Sequence, residues 1–134
     1  MDCEHNHHNK YYHTKKQWDK AIYFYEKALK NNSGEDIETN LLLLQGYVET
    51  KQFELVSKKA TDMAETYPTQ PQFYYFSGLA NNQLQQFKKA KEMLEMGLDY
   101  LGNDVVLEIN FNIQLGEAYN GLGDFKKKDQ FFFK

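Results

Sequence analysis

Cysteine occurs once in this chain, at Cys3, and proline only twice, at Pro68 and Pro71. A lone cysteine excludes an internal disulfide, and Cys3 is not preceded by the small and apolar residues of a lipoprotein cleavage site. Two prolines three residues apart leave the rest of the chain free to be helical almost throughout. Long apolar runs are absent too. The longest, residues 41–44, falls far short of a bilayer span or a signal-peptide core. No histidine follows residue 13, and no Gly-rich loop joins a strand to a helix, so nothing resembles a catalytic constellation and the chain reads as no enzyme. The formal charge is -3 with both signs interspersed, so no basic stripe is present to track phosphates, and nucleic acid is not an expected partner.

What is present fits one ordered domain over residues 1–134. Apolar residues make up 41% and aromatics 16%, enough for a packed core built from bulky knobs. The expectation is a soluble protein without membrane insertion. It would be cytoplasmic by default, or periplasmic if a targeting segment has been removed.

Laid against itself, the chain repeats. An aromatic, a residue three later and a bulky residue four after that recur at Trp18, Ala21 and Tyr25, and at Phe87, Ala90 and Leu94. Weaker copies stand at Phe53, Val56 and Ala60, and at Phe125, Lys128 and Phe132. The aromatic anchors are spaced 35, 34 and 38 residues apart. Upstream of them lie matching amphipathic stretches: Leu43-Leu44 with Tyr47, Ser77-Gly78, and Leu115-Gly116 with Tyr119. The apolar spacing predicts helices at about 3–13, 18–31, 36–50, 53–66, 70–84, 87–101, 105–120 and 124–133. Breaks are expected at 14–17, 31–34, 51–52, 67–70, 85–86, 102–104 and 121–124, with Thr69 and Asp104 as N-caps and Gly102 as a helix stop. Gly78 and Gly116, with Ala21, Val56 and Ala90, are the small residues where helices cross closely, and Tyr25, Tyr47, Leu94, Tyr119 and Phe132 fill the space between. The spacing of 38 implies one added turn, near 96–101 or from Val105.

The run from Leu115 to Phe125 resembles the tetratricopeptide repeat signature across its helix A to helix B turn. Trp18-Asp19-Lys20-Ala21-Ile22 with Tyr25, Ala28 and Leu29 is similar to that family's helix B, and Pro68 falls where its inter-repeat proline falls. The resemblance divides the chain into units at about 2–36, 37–70, 71–108 and 109–134. It implies an all-α fold, a right-handed superhelical stack of antiparallel helix hairpins (a TPR-like α-solenoid). The weak compositional flavour is that of low-GC bacteria.

The resemblance also implies a function, a protein-interaction or scaffolding module. Its concave stripe of helix A side chains maps onto Leu41, Gln45 and Val48, then Tyr75, Leu79 and Asn82, then Ile113, Glu117 and Asn120. That stripe holds no lysine or arginine, which disfavours a clamp for a terminal carboxylate. A mixed apolar and amide groove suits a neutral or hydrophobic peptide or protein segment. The alternative is a structural element that assembles through its ends. The chain closes Phe131-Phe132-Phe133-Lys134 without a solvating helix, so Phe131 and Phe133 are interface candidates. Either the native chain continues past Lys134, or this end pairs with another copy. Cys3, His5, His7, His8 and His13 match no familiar zinc spacing, so no metal or other cofactor is expected.

Overall fold

The structure, a computed structural model, describes residues 7–31 and 36–132. Every regular element among them is helical: α1 (His7–Asn31), α2 (Ile37–Glu49), α3 (Phe53–Thr66), α4 (Pro71–Gln83), α5 (Phe87–Gly97), a 3-10 turn (Leu98–Tyr100), α6 (Val105–Gly121) and α7 (Phe125–Phe132). The chain is all-α, as its periodicity predicts. It gathers into two compact units, Met1–Gln52 and Phe53–Lys134.

In the first unit α1 packs on α2. α1 runs unbroken for 25 residues through the expected break at 14–17, so residues 7–31 form one helix and not a hairpin. Nothing in Thr14-Lys15-Lys16-Gln17 stops a helix, because neither glycine nor proline is present there. Ile22 and Leu29 of α1 and Leu43, Leu44 and Tyr47 of α2 are buried. Gly46 admits the closest approach: a Cβ there would lie 2.8 Å from Ile22 and 3.5 Å from Trp18.

In the second unit consecutive helices pack in order from α3 to α7, and α4 also touches α6. Val56, Ala60, Phe73, Ala80, Ala90, Leu94, Phe111, Leu115 and Ala118 are wholly out of solvent. The expected small-against-large crossing is present, since a Cβ on Gly78 would fall 2.4 Å from Leu94 Cγ. Gly121, expected in a turn, is instead the last residue of α6, and a Cβ on it would fall 2.3 Å from the Phe87 ring.

The turns before the aromatic anchors share one geometry. Two residues ahead of Phe53, Phe87 and Phe125 stand Lys51, Gln85 and Gly123, with φ of 61°, 62° and 81°. In each the next amide reaches back over the helix end: Gln52 N to Tyr47 O at 2.8 Å, Gln86 N to Asn81 O at 2.8 Å and Asp124 N to Tyr119 O at 2.9 Å. This is the Schellman closure, which satisfies carbonyls left over at a helix C-terminus. Glycine suits the left-handed residue, yet only the last of the three turns has one.

Proline decides the start of α4. Pro71 occupies its first turn, which requires an extended residue before it. The N-cap is therefore Gln70, at φ -94° and ψ 102°, and not Thr69. Asp104 does cap α6, accepting from Leu107 N at 2.9 Å, and Gly102 takes the left-handed turn with φ 62°.

The added turn implied by the anchor spacing lies at the start of α6. That helix has 17 residues against 13 in both α2 and α4, while α5 with its 3-10 turn spans 11 and 3 residues and matches the 14 of α3.

Candidate functional site

The helix A positions fall on α2, α4 and α6. In the first unit Leu41, Gln45 and Val48 are half-buried on α2, and the Gln45 amide donates to Glu49 at 2.8 Å. In the second unit α4 is buried nearly all round, and its least covered line is Gln72, Tyr75, Leu79 and Gln83. Tyr75 lies with its ring 6.1 Å from Phe111 of α6 and 5.5 Å from Phe76; burial raises its phenol above the usual range. On α6, Ile113, Glu117 and Asn120 are exposed.

Asn82 differs from its expected role as a free groove amide. It is buried, and its Nδ2 donates to both the backbone carbonyl and Oε1 of Gln114 at 2.9 Å. Asn82 therefore ties α4 to α6 and forms the floor of the face rather than its rim. Its Oδ1 and the Oε1 of Gln72 are buried acceptors without a hydrogen-bond partner in the protein. An unpaired buried acceptor costs about 1–3 kcal/mol, and both oxygens lie beneath the surface, out of reach of a docking partner.

The face is electrically one-sided. α4 carries no charged side chain, and α6 carries only Glu108 and Glu117. Among the described residues the unit's lysines instead fall on α3 (Lys58, Lys59), α5 (Lys88, Lys89, Lys91) and α7 (Lys126, Lys127, Lys128).

Of the two C-terminal interface candidates, Phe131 is half-buried and stacks on Tyr119, with ring centroids 5.6 Å apart and planes 9° from parallel. Phe133 lies outside the described residues. Sequence reasoning missed Leu122 and Phe125, which are 46% and 59% exposed on the same repeat. Phe125 carries Lys128 over its ring at 5.7 Å, which is how a lysine is accommodated at the repeat position that favours alanine.

The side chains of Cys3, His5, His7, His8 and His13 lie outside the described residues. Among the described residues no group of three or more His, Cys, Asp or Glu side chains is placed to hold a metal ion, and no helix is long and apolar enough to cross a membrane.

This arrangement defines an all-helical repeat protein, and the hairpins and their register fit a tetratricopeptide-type repeat. The fold is similar to a crystal structure of MamA, with TM-score 0.76 and 22% identity over 90% of this chain and 68% of that one. It is also similar to a structure of MamA AMB-1, with TM-score 0.70 and 17% identity over 86% of this chain and 65% of that one. The chain thus spans about two thirds of the length of either MamA chain. At these identities the likeness establishes the fold. No protein-family model matches the sequence, and no curated protein matches it.

Proposed function

We propose that this chain is a protein-interaction module, without catalytic activity of its own, that holds a peptide or protein segment on the face formed by α4 and α6. The observation that carries this reading is the composition of the face. Tyr75 and Leu79 offer half-covered apolar surface, Ile113 stands 45% exposed, and Glu117 and Asn120 supply polar contacts with no cation among them. Apolar surface left open beside an exposed carboxylate and amide is the chemistry of a surface that docks a chain segment. The likeness to MamA supports a repeat scaffold as the setting for such a face.

The test compares partners captured by tagged protein with those captured by an Ile113→Ser/Asn120→Ser variant and by a Lys88→Gln/Lys89→Gln variant on α5. The reading requires the first variant to lose the partner and the second to keep it. Loss with the α5 variant alone would place the binding surface elsewhere.

A second reading, self-assembly through the C-terminal repeat, is favoured by the exposure of Leu122 and Phe125. Light scattering across a concentration series decides it. Mass that grows in the parent and not in Leu122→Ser/Phe125→Ser supports association through this end, and constant mass in both removes the reading.

A further inference from the structure

Folding does not account for the added turn of α6. The turn buries Leu107 and leaves Val105 and Val106 63% and 69% exposed, followed by Ile109 at 53%. Branched aliphatics on an open helix surface weaken the helix slightly through lost χ1 freedom and bury nothing in return. At about 100° per residue, Val106, Ile109, Ile113, Glu117 and Asn120 fall within one arc of roughly 80°. The exposed aliphatics therefore run as a ridge into the acidic and amide end of the face already described.

Electrostatics and hydrogen bonding select what fits that ridge. Glu117 lies in line with the aliphatics, and neither α4 nor α6 carries a cation to neutralise it. On α4, Gln72, Tyr75, Leu79 and Asn82 share an arc of about 80°, and the buried acceptors Gln72 Oε1 and Asn82 Oδ1 lie beneath it. The Asn120 amide both donates and accepts, so the Glu117 carboxylate alone sets the sign of charge on the exposed surface. An acidic segment would meet Glu117 with like charge, and an anionic membrane would find no lysine on this side.

We infer that the ridge docks an amphipathic helical segment of a partner protein, one that presents aliphatic side chains three or four residues apart and a lysine or arginine about one turn beyond them. The inference rests on the α4–α6 face being the binding face and adds the class of its occupant. Val106 and Ile113 are about 10 Å apart along the axis, and Glu117 lies about 6 Å further on. A partner helix crossing α6 sets its aliphatics between those of the ridge, ridges into grooves, and its cation against the Glu117 carboxylate. A helix suits the site better than a strand, because α6 offers side-chain ridges and no open backbone edge.

The experiment selects binders to the full chain from a displayed library of helical peptides with randomised faces, then measures one selected peptide by fluorescence anisotropy. Selected peptides are expected to carry aliphatics at three- and four-residue spacing followed by Lys or Arg. Val106→Ser/Ile109→Ser, at exposed positions and with an unchanged melting curve, should weaken binding by about tenfold or more. Glu117→Lys should turn the preference from basic to acidic peptides. Several outcomes overturn the inference: no peptide selected, acidic or charge-indifferent peptides, or affinity unmoved by Val106→Ser/Ile109→Ser. Should that variant only lower the mass of the protein in solution, the ridge is a contact between copies and the inference fails. Binding lost in Ile113→Ser/Asn120→Ser but kept in Val106→Ser/Ile109→Ser leaves the face standing and removes the ridge. Binding insensitive to both removes the two readings together.

Discussion

The phenol of Tyr119 donates a 2.5 Å hydrogen bond to the Glu95 carboxylate, 24 residues earlier and one helix back. Tyr47 does the same to Glu26 in the other unit. Both tyrosines stand six residues before an aromatic anchor, and both glutamates stand eight after the preceding one. The middle repeat has Asn81 and Thr61 at those places. It replaces the pair by a buried cluster: Ser57 Oγ donates to Asn81 Oδ1 at 3.1 Å, Asn81 Nδ2 donates to the Ser77 carbonyl at 2.7 Å, and Thr61 and Ser77 share a bond at 2.9 Å. The same repeat position thus joins successive helices by two different chemistries.

The tyrosine pairs make stability fall at alkaline pH. Burial first, then the hydrogen bond and charge of Glu95, push the Tyr119 phenol up to about 12, and burial with Glu26 raises Tyr47 further. A folded-state value above the unfolded one, about 10, favours the neutral phenol in the fold. Its stabilisation is complete below pH of about 10 and is lost as pH rises toward about 12. Denaturant titrations from pH 8 to 11.5 should show Tyr47→Phe/Tyr119→Phe less stable at pH 8, by about 1–3 kcal/mol per bond, with a shallower alkaline decline. Parallel declines in parent and variant would contradict the account.

Asn81→Ala removes the centre of the polar cluster and leaves the Ser57 hydroxyl without its acceptor. A cost of about 2–4 kcal/mol is expected from unpaired buried groups and lost packing. The melting temperature should drop by several degrees. Asn81→Asp should be as damaging, since it replaces the donor to Ser77 with a buried charge. A variant that melts like the parent would show that the cluster contributes nothing.

Turn chemistry gives a prediction of opposite sign. Lys51 and Gln85 hold left-handed backbone that glycine adopts freely. Lys51→Gly and Gln85→Gly should each stabilise by about 0.5–1 kcal/mol, and Gly123→Ala should destabilise by about 1 kcal/mol. Thermal melts of the three variants suffice, and a loss of stability in the first two would mean that the side chains stabilise by contacts outside the turn.

At the crossings glycine is needed for space. Alanine at Gly78 gains about 1 kcal/mol of helix propensity, but its methyl overlaps Leu94 at 2.4 Å and costs about 1–3 kcal/mol. Gly78→Ala should be destabilising overall, and Gly78→Leu strongly so. Gly116 is buried at the same repeat position, so Gly116→Leu should behave alike. Gly78→Ala/Leu94→Ala should recover part of the Gly78→Ala loss. No recovery would separate the effect from the Leu94 contact.

The repeat was legible because large aromatics and small residues recur at fixed spacing, and a close helix crossing permits few alternatives. Gly102, expected as a helix stop, announced its left-handed turn. Lys51 and Gln85 did not, because the Schellman closure and the packed helices impose the conformation on residues that do not prefer it. The spacing of 38 foretold an extra turn, but only the capped start at Asp104 placed it on α6. The break expected at 14–17 failed because polar residues alone do not end a helix. Asn82 was read as a groove amide because sequence does not show a partner 32 residues away in Gln114. The exposed ridge of Val106 and Ile109 was invisible for the opposite reason: aliphatic residues at helical spacing look like core until a structure shows them uncovered.

The central claim is that α4 and α6 form the docking face. NMR titration of isotope-labelled protein with a captured partner segment tests it most directly. The account predicts shifts concentrated on Tyr75, Leu79, Ile113, Glu117 and Asn120, with the lysine-bearing surfaces of α3 and α5 unmoved. Shifts concentrated on Lys58, Lys88 and Lys89, with Ile113 and Asn120 unchanged, would contradict it.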